Sequence, residues 1–501
     1  MHSPAYRAFI KNNMFVLLGH VAIYGQGIIL MPLIIKNVGA TVYGGYLLLT
    51  TLLGFVYGIS VLVVGYKRSR FLPSAQNIEE KRALFYPQFL CHLGIALVLS
   101  TVLILTYPAL DRIFLKSNVV FAEWLILPYM LGYFLFSQSA DYFRYSHKMG
   151  YFNFATITFP YLNILLIVLV RFLHRDLSVN ILFISQIVTL FLISTILIFM
   201  VIKEIGWRVV LPKRQSVIED IKLGFPLLLG FVVDTILSSS ARYVIAALIS
   251  VTAVGWFSPA YALGSLIIFL PKVSGVVLPP LISKAVDSGK ESEAQIMLSY
   301  TLRGFLMIAI PYVAGCCVLG RPMLNLLANR EVADNAYLVT PIIALATIFY
   351  GLNVILSNVF FVKMRTIVIF KANLCAALMN LALNCIFIFI FKNIVIAAIG
   401  SVVSYGVAFL YLKRSLPIGW YLGLNNGMIR KPVIASAVMS AVLVAVFSYY
   451  GDSGFKSLYI FGNLALGVTV YIVTLFVLRA FSGKEISFLR SMFLSRATSV
   501  S

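Results

Sequence analysis

The sequence predicts an all-α polytopic membrane protein of about fourteen transmembrane helices: two six-helix bundles around a central cavity, with two further C-terminal helices. Three observations predict it: composition, the spacing of apolar runs and the placement of basic residues. Of 501 residues, 61% are hydrophobic and 11% charged, and mean hydropathy is +0.97. Soluble domains carry about 45–50% apolar and about 25% charged residues, and much of any folded surface must face water. A soluble enzyme, a nucleic-acid binder and a disordered chain are excluded together. Lys+Arg number 39 against 17 Asp+Glu, a net charge of +22. In a membrane protein that surplus marks cytoplasmic loops, not a nucleic-acid partner.

A bilayer core takes about 20 apolar residues of helix, and runs of that length recur throughout. The first spans are Asn12–Ile35, Tyr43–Tyr66, Phe85–Ala109, Ala122–Asp141, Phe154–Leu173 and Val179–Ile202. They are followed by Leu223–Ile249, Gly255–Pro279, Ile296–Leu319, Tyr337–Val362, Ala372–Phe391 and Val395–Leu412. Val433–Tyr450 and Leu458–Arg479 close the series. The expected division is 1–222, 223–412 and 413–501, the last holding the two extra helices and a tail. The first run is too long for a signal-peptide core and lacks a small-residue cleavage site. Cys91, Cys316, Cys317, Cys375 and Cys385 lie in apolar runs without zinc spacing and read as small core residues.

With the N-terminus in the cytoplasm, about 27 basic residues fall inside and about 10 outside. The inside set includes the Lys67–Arg70 cluster, Lys148, Lys203, Lys213, Lys363, Lys413 and Lys431. A wrong span count would scramble this alternation, so both termini are expected on the cytoplasmic face. The outer loops are short, and the longest, Arg321–Ala336, needs no domain of its own.

The chain also repeats. A turn at Gly39-Ala40-Thr41-Val42-Tyr43-Gly44 precedes span two, and one at Thr252-Ala253-Val254-Gly255-Trp256 precedes span eight, six spans later. Lys148-Met149 before span five, with Asn163, is matched by Lys363-Met364 before span eleven, with Asn380. Six plus six spans in parallel orientation is a transporter layout.

These segments resemble the polysaccharide transport proteins of the MOP exporter superfamily, which includes the Wzx-type O-antigen flippases. The resemblance rests on Gly39–Gly44, Gly224-Phe225-Pro226-Leu227, Ser239–Ile245 and Val254–Tyr261, with the span count and repeat. One departure is Ala241, which stands where the family often has Asp before the arginine of span seven. The resemblance implies a flippase of the bacterial inner membrane that breaks no bonds. Its substrate would be a polyprenyl-diphosphate-linked oligosaccharide, an O-antigen or capsule repeat unit, delivered to polymerase and chain-length machinery outside. No cofactor is implied beyond H⁺ or Na⁺ coupling.

Such a substrate asks for positive charge inside an apolar bundle, and charged residues within spans usually face a cavity. Lys272 and Arg303 lie roughly 10 Å deep from the same side of spans eight and nine. They are candidates to clasp the diphosphate, with Arg supplying a bidentate fork; snorkelling to the headgroups is the competing reading. Arg242, near the outer end of span seven, is a candidate exit guide or an interface anchor. Asp234, near the centre of span seven, is a candidate ion-coupling group or a structural ion-pair partner. His20, mid-span, is a candidate titrating group or a neutral hydrogen-bonded side chain. Gln26, Asn163, Gln186, Asn353, Asn358, Asn380 and Asn384, with Tyr24, Tyr57, Tyr261 and Tyr350, fit either a sugar-binding cavity or interhelical packing. Pro32, Pro128, Pro160, Pro226, Pro259, Pro271, Pro311 and Pro341 are candidate hinges.

The alternatives are a cation-coupled multidrug exporter of the same superfamily and a membrane polymerase or glycosyltransferase. The first needs acidic cavity groups, where this chain offers Asp234 and a basic surplus. The second needs acidic motifs and large loops. No phosphate-binding loop, His-Glu-x-x-His or Cys-x-x-Cys motif is present.

Overall fold

The computed structural model describes residues 4–116, 118–174, 176–423, 426–450 and 457–480. Among them it is helical, with no strand. In order the helices are α1 (Pro4–Val64), α2 (Tyr66–Phe71), α3 (Ile78–Leu110), α4 (Ile126–Tyr145), α5 (Met149–His174) and α6 (Val179–Ile205). Then come α7 (Arg214–Leu248), α8 (Val251–Gly264), α9 (Phe269–Asp287), α10 (Glu291–Leu327) and α11 (Arg330–Ala336). The last are α12 (Val339–Val362), α13 (Thr366–Phe391), α14 (Ile394–Arg414), α15 (Asn426–Tyr450) and α16 (Ser457–Val477). Twelve helices among the described residues are long and apolar enough to cross a membrane. Each predicted span falls on one helix except the eighth, which covers two. Spans one and two lie in the single helix α1, and α4 falls outside the twelve because Gln138, Asp141 and Arg144 dilute it.

The expected turn between spans one and two is a kink. Only Gly39 leaves helical geometry, at φ 85° and ψ 172°, a region a side chain would strain. Span eight is broken instead of continuous: α8 ends at Gly264, a 3₁₀ turn covers Leu266–Ile268, and α9 begins at Phe269. The expected outer loop Arg321–Ala336 is largely helical, because α10 runs on to Leu327 and α11 follows. Arg321 and Arg330 both pair with Asp334, at 2.6 and 3.6 Å. The hydrogen bond from Arg321 is the first cause holding the Asp334 carboxyl below its usual range. Of the candidate hinge prolines, Pro128, Pro271 and Pro341 sit in the first turn of α4, α9 and α12. The first-turn N–H groups have no intrahelical partner there, so proline costs little.

The chain divides into two compact units. One holds residues 1–258, 327–329 and 381–393; the other holds 259–326, 330–380 and 394–501. In the first, α4 packs on α3 and α6, and α1 packs on α5 and α7. Phe183 centres its core, meeting Phe121, Tyr129 and Tyr46 at centroid distances of 4.9, 5.2 and 5.7 Å. In the second, α12 packs on α9 and α14, and α15 on α16. Buried Ala397, Gly400, Ser401, Ser404 and Ala408 make α14 narrow, and small residues let membrane helices approach closely.

The internal repeat is visible in backbone geometry. His147 and Met364 both adopt left-handed conformations, at φ 58° and 56°. Around them Lys148 N donates to the Phe143 carbonyl and Arg365 N to the Phe360 carbonyl, each at 2.8 Å. The register therefore matches Lys148 with Arg365, two residues on from the pairing the sequence suggests. Asn163 accepts from Ser185 Oγ at 3.0 Å, and its counterpart Asn380 donates to Ser401 Oγ at 3.5 Å. The other pair of repeated turns meet each other within the first unit. Thr41 and Thr252 hydroxyls lie 2.7 Å apart. A Cβ on Gly44 would overlap the Val251 carbonyl oxygen, and one on Gly255 would overlap the Ala40 carbonyl oxygen. Two helix starts related by the repeat thus cross backbone to backbone.

Candidate functional site

Among the described residues, the buried basic and acidic side chains of the first unit, Arg68, His92 and Asp220, lie on α2, α3 and α7. Arg68 is 1% exposed. One of its guanidinium nitrogens donates to Gln138 Oε1 and another lies 3.9 Å from Asp141. His92 Nδ1 is 3.0 Å from the same Gln138 oxygen, and its Nε2 is 3.2 Å from the Val61 carbonyl. Asp141 is shared with Arg144 at 3.8 Å. A charge removed from water costs several kcal/mol unless paired and hydrogen-bonded; Arg68 has Asp141 as its ion-pair partner and Gln138 as its hydrogen-bond acceptor. Beside it, Lys67 Nζ donates to Ser216 and to Glu219 at 2.9 Å, and buried Gln88 approaches Asp220 at 3.5 Å. Lys67, Ser216, Gln88 and Asp220 line a cavity of about 30 Å³ with Cys91 and Pro87. A volume of about 30 Å³ is one water's share of the liquid, too small for a sugar. The network therefore holds helices together.

Sequence reasoning placed Arg68 in an exposed basic loop and passed over His92, Gln138 and Asp141. The signal was available: His92 and Gln138 are polar side chains in apolar helices, where each needs a partner.

On α7, Asp234 is exposed and Arg242 half-buried. Eight residues separate them, about 12 Å of helix. Next to Arg242, Tyr243 donates to the Leu48 carbonyl at 3.0 Å. The far end of α7 is capped by two lysines, Lys116 Nζ on the Ala247 carbonyl at 2.8 Å and Lys392 Nζ on the Leu248 carbonyl at 3.1 Å. Cations there satisfy orphan carbonyls and complement the helix dipole. His20 lies in α1, and its side chain is outside the described residues, as is that of Tyr24.

In the second unit, Lys272 is exposed in the first turn of α9, just past the break in span eight. The break is fixed by its neighbours. Tyr312 of α10 donates to the Leu263 carbonyl, and Gly264 lies against Thr340 and Ile343 of α12 with no room for a Cβ. Arg303 is half-buried on α10 and donates to the Ala480 carbonyl at 2.5 Å. It thereby ties α10 to the turn that follows α16, an engagement the sequence did not suggest. Near one end of the same unit, Lys363 pairs with Glu291 and lies 5.8 Å over the Trp420 ring.

Most of the candidate sugar-binding amides are engaged in packing. Asn163 and Asn380 bond serines, Gln186 donates to Tyr46, Asn353 to the Tyr405 carbonyl and Asn358 to its own helix. Among the described residues there is no group of three or more His, Cys, Asp or Glu suited to a metal.

An all-helical membrane chain with an internal repeat, a broken helix and in-span cations defines a class. The class is that of the flippases, transporters and not enzymes. A family model described as "Lipid II flippase MurJ" matches residues 46–469, and the chain belongs to that family. Among solved structures it resembles a lipid II flippase MurJ in an inward closed conformation. The TM-score is 0.72 at 17% identity, over 93% of this chain and 98% of that one. An inward-facing multidrug resistance MATE family transporter of the MOP superfamily gives 0.61 at 15% identity, over 81% and 96%. A MOP superfamily transporter from Pyrococcus furiosus gives 0.54 at 15%, over 81% and 95%. Comparison with curated proteins returned no match.

Proposed function

We propose that the protein turns lipid II, the lipid-linked peptidoglycan precursor, from the cytoplasmic to the outer leaflet of the bacterial inner membrane. The observation that carries this reading is the family match across residues 46–469. It favours lipid II over the O-antigen or capsule unit that the sequence resemblance implied. The basic surplus suits a diphosphate better than a cationic drug, which argues against the exporter alternative although MATE structures share the fold. Both termini face the cytoplasm in this reading, and the chain is organised as two bundles, 1–222 and 223–412, with 413–501 outside the repeat.

Within it, Lys272 meets the diphosphate. The residue is exposed on a discontinuous helix, the kind of element transporters use to build midplane sites. Arg303 adds charge at similar depth while bonded to Ala480, and Arg242 guides exit along α7. Asp234, with His20, couples transport to an ion gradient. The test is complementation of a bacterium depleted of its own lipid II flippase, with leaflet-resolved measurement of lipid II. The wild-type chain restores outer-leaflet lipid II. Lys272→Ala leaves lipid II on the cytoplasmic side at normal membrane expression. Failure of the wild-type chain to move lipid II, with restoration of an O-antigen flippase mutant, overturns the substrate assignment. Normal lipid II transport by Lys272→Ala overturns the site.

A further inference from the structure

The outer face of the first unit carries an apolar groove between α5 and α6. Its volume is about 240 Å³, and it is lined by Phe154, Thr158, Leu162, Leu192, Ile196 and Leu197, with Ile193 and Leu197 buried as its floor. That is room for about eight water-sized groups at about 30 Å³ each, in the shape of a slot running along two antiparallel helices. No polar surface lines it, so a hydrocarbon chain fits it and water does not.

The groove ends below a basic rim. Lys148 stands just before the start of α5, six residues ahead of Phe154, and Lys203 follows Leu197 by six residues on α6, about 9 Å along the helix. Lys203 shares the outward stripe of α6 with Ile196 and Phe199, at the seven-residue spacing that returns a helix to the same face. Arg144, His147, Lys148 and Lys203 are all exposed here. The acids are outnumbered: Glu204 is shared by Lys81 at 3.1 Å and Lys148 at 2.8 Å, and Asp141 by Arg68 and Arg144. Lys203 takes part in neither arrangement. The N-terminus of α5 opens on the same rim and adds its positive dipole end. Trp207, 77% exposed, follows immediately, as an interfacial anchor would.

We propose that this face is a binding site for one anionic glycerophospholipid of the surrounding membrane, separate from the translocation path. One acyl chain lies in the groove over Ile193 and Leu197, and the headgroup phosphate sits among Lys203, Arg144 and Lys148. Charge complementarity at a fixed distance from an apolar slot selects a lipid anion over a zwitterion, and the slot selects a lipid over a free phosphate.

The experiment is native mass spectrometry of the detergent-purified full chain, titrated with phosphatidylglycerol, with phosphatidylcholine of the same chains, and with inorganic phosphate. Wild-type protein retains one phosphatidylglycerol at higher occupancy than phosphatidylcholine, and phosphate neither binds nor displaces it. Lys203→Gln and Arg144→Gln each weaken phosphatidylglycerol about fivefold, equivalent to ~1 kcal/mol, and leave phosphatidylcholine unchanged. Ile196→Trp fills the slot and lowers occupancy of both lipids. Ile196 is 55% exposed, so the variant folds; Leu192→Trp, 51% exposed, is the second probe of the same slot. Undiminished phosphatidylglycerol preference in the charge variants, undiminished occupancy in both tryptophan variants, or displacement by phosphate overturns the proposal. None of these outcomes bears on lipid II transport, which is scored separately.

Discussion

Replacing Gly255 with alanine tests the crossing of the two repeat-related helix starts. The added Cβ would overlap the Ala40 carbonyl oxygen and stand 3.0 Å from Ala40 Cα. The oxygen sets the requirement: the Cβ would lie 1.9 Å from it, where real Cβ contacts essentially never fall under 3.0 Å, so the backbones must part by about 1 Å or more. Backbone cannot rotate aside as a side chain can, and it is held by the 2.7 Å Thr41–Thr252 contact. Overpacking of this kind costs about 1–3 kcal/mol, and alanine's better helix propensity returns ~1 kcal/mol. The expected net loss is about 2 kcal/mol at the upper end of that range. Gly230→Ala in α7 is the control. Nothing lies within 4 Å of its Cβ position, so it should gain by up to ~1 kcal/mol. Thermal denaturation of the purified protein, followed by size-exclusion chromatography, ranks the variants. Gly44→Ala should fall with Gly255→Ala, since its Cβ would come 2.9 Å from Gly255 N. If Gly255→Ala melts at or above Gly230→Ala, the crossing is looser than described and the argument fails.

Arg68→Ala leaves Gln138 and one side of Asp141 uncompensated in a buried site, and should destabilise by about 3–5 kcal/mol in chemical denaturation. Lys67→Ala, whose partner Glu219 is exposed, should cost less than ~1 kcal/mol; equal losses would refute the distinction. The Asp334 carboxyl is held below its ordinary value by Arg321. Its contribution is therefore present above the unfolded pKa of roughly 3.9 and lost as pH falls through the lower folded value. Asp334→Asn should lower stability at neutral pH and converge with wild type in acid, as melting curves across pH would show. Reporter fusions after Lys203, Lys363 and Lys413 should read cytoplasmic, and those after Lys116 and Asn329 periplasmic. A reproducibly inverted loop would break the orientation.

The sequence alone determined the class. Apolar runs of bilayer length and an alternating excess of basic residues are local properties, and burial in lipid demands them whatever the packing. Repetition was legible for the same reason, because turns of like geometry keep like residues: Asn163 and Asn380 carry the true register. What tertiary structure decided was partnership. Arg68 reads as one more loop arginine until α3 and α4 bring His92, Gln138 and Asp141 to it. Arg303 reads as a free cation until the end of α16 delivers the Ala480 carbonyl. The glycines of the two turns read as loop formers. Only the crossing of Gly44 on Val251 and Gly255 on Ala40 shows that they are contact surfaces. Contacts between residues some two hundred positions apart leave no local pattern, since each side chain satisfies its own helix equally well with or without the distant partner. Chain order fixes the helices, and only their packing chooses which charges, amides and glycines meet.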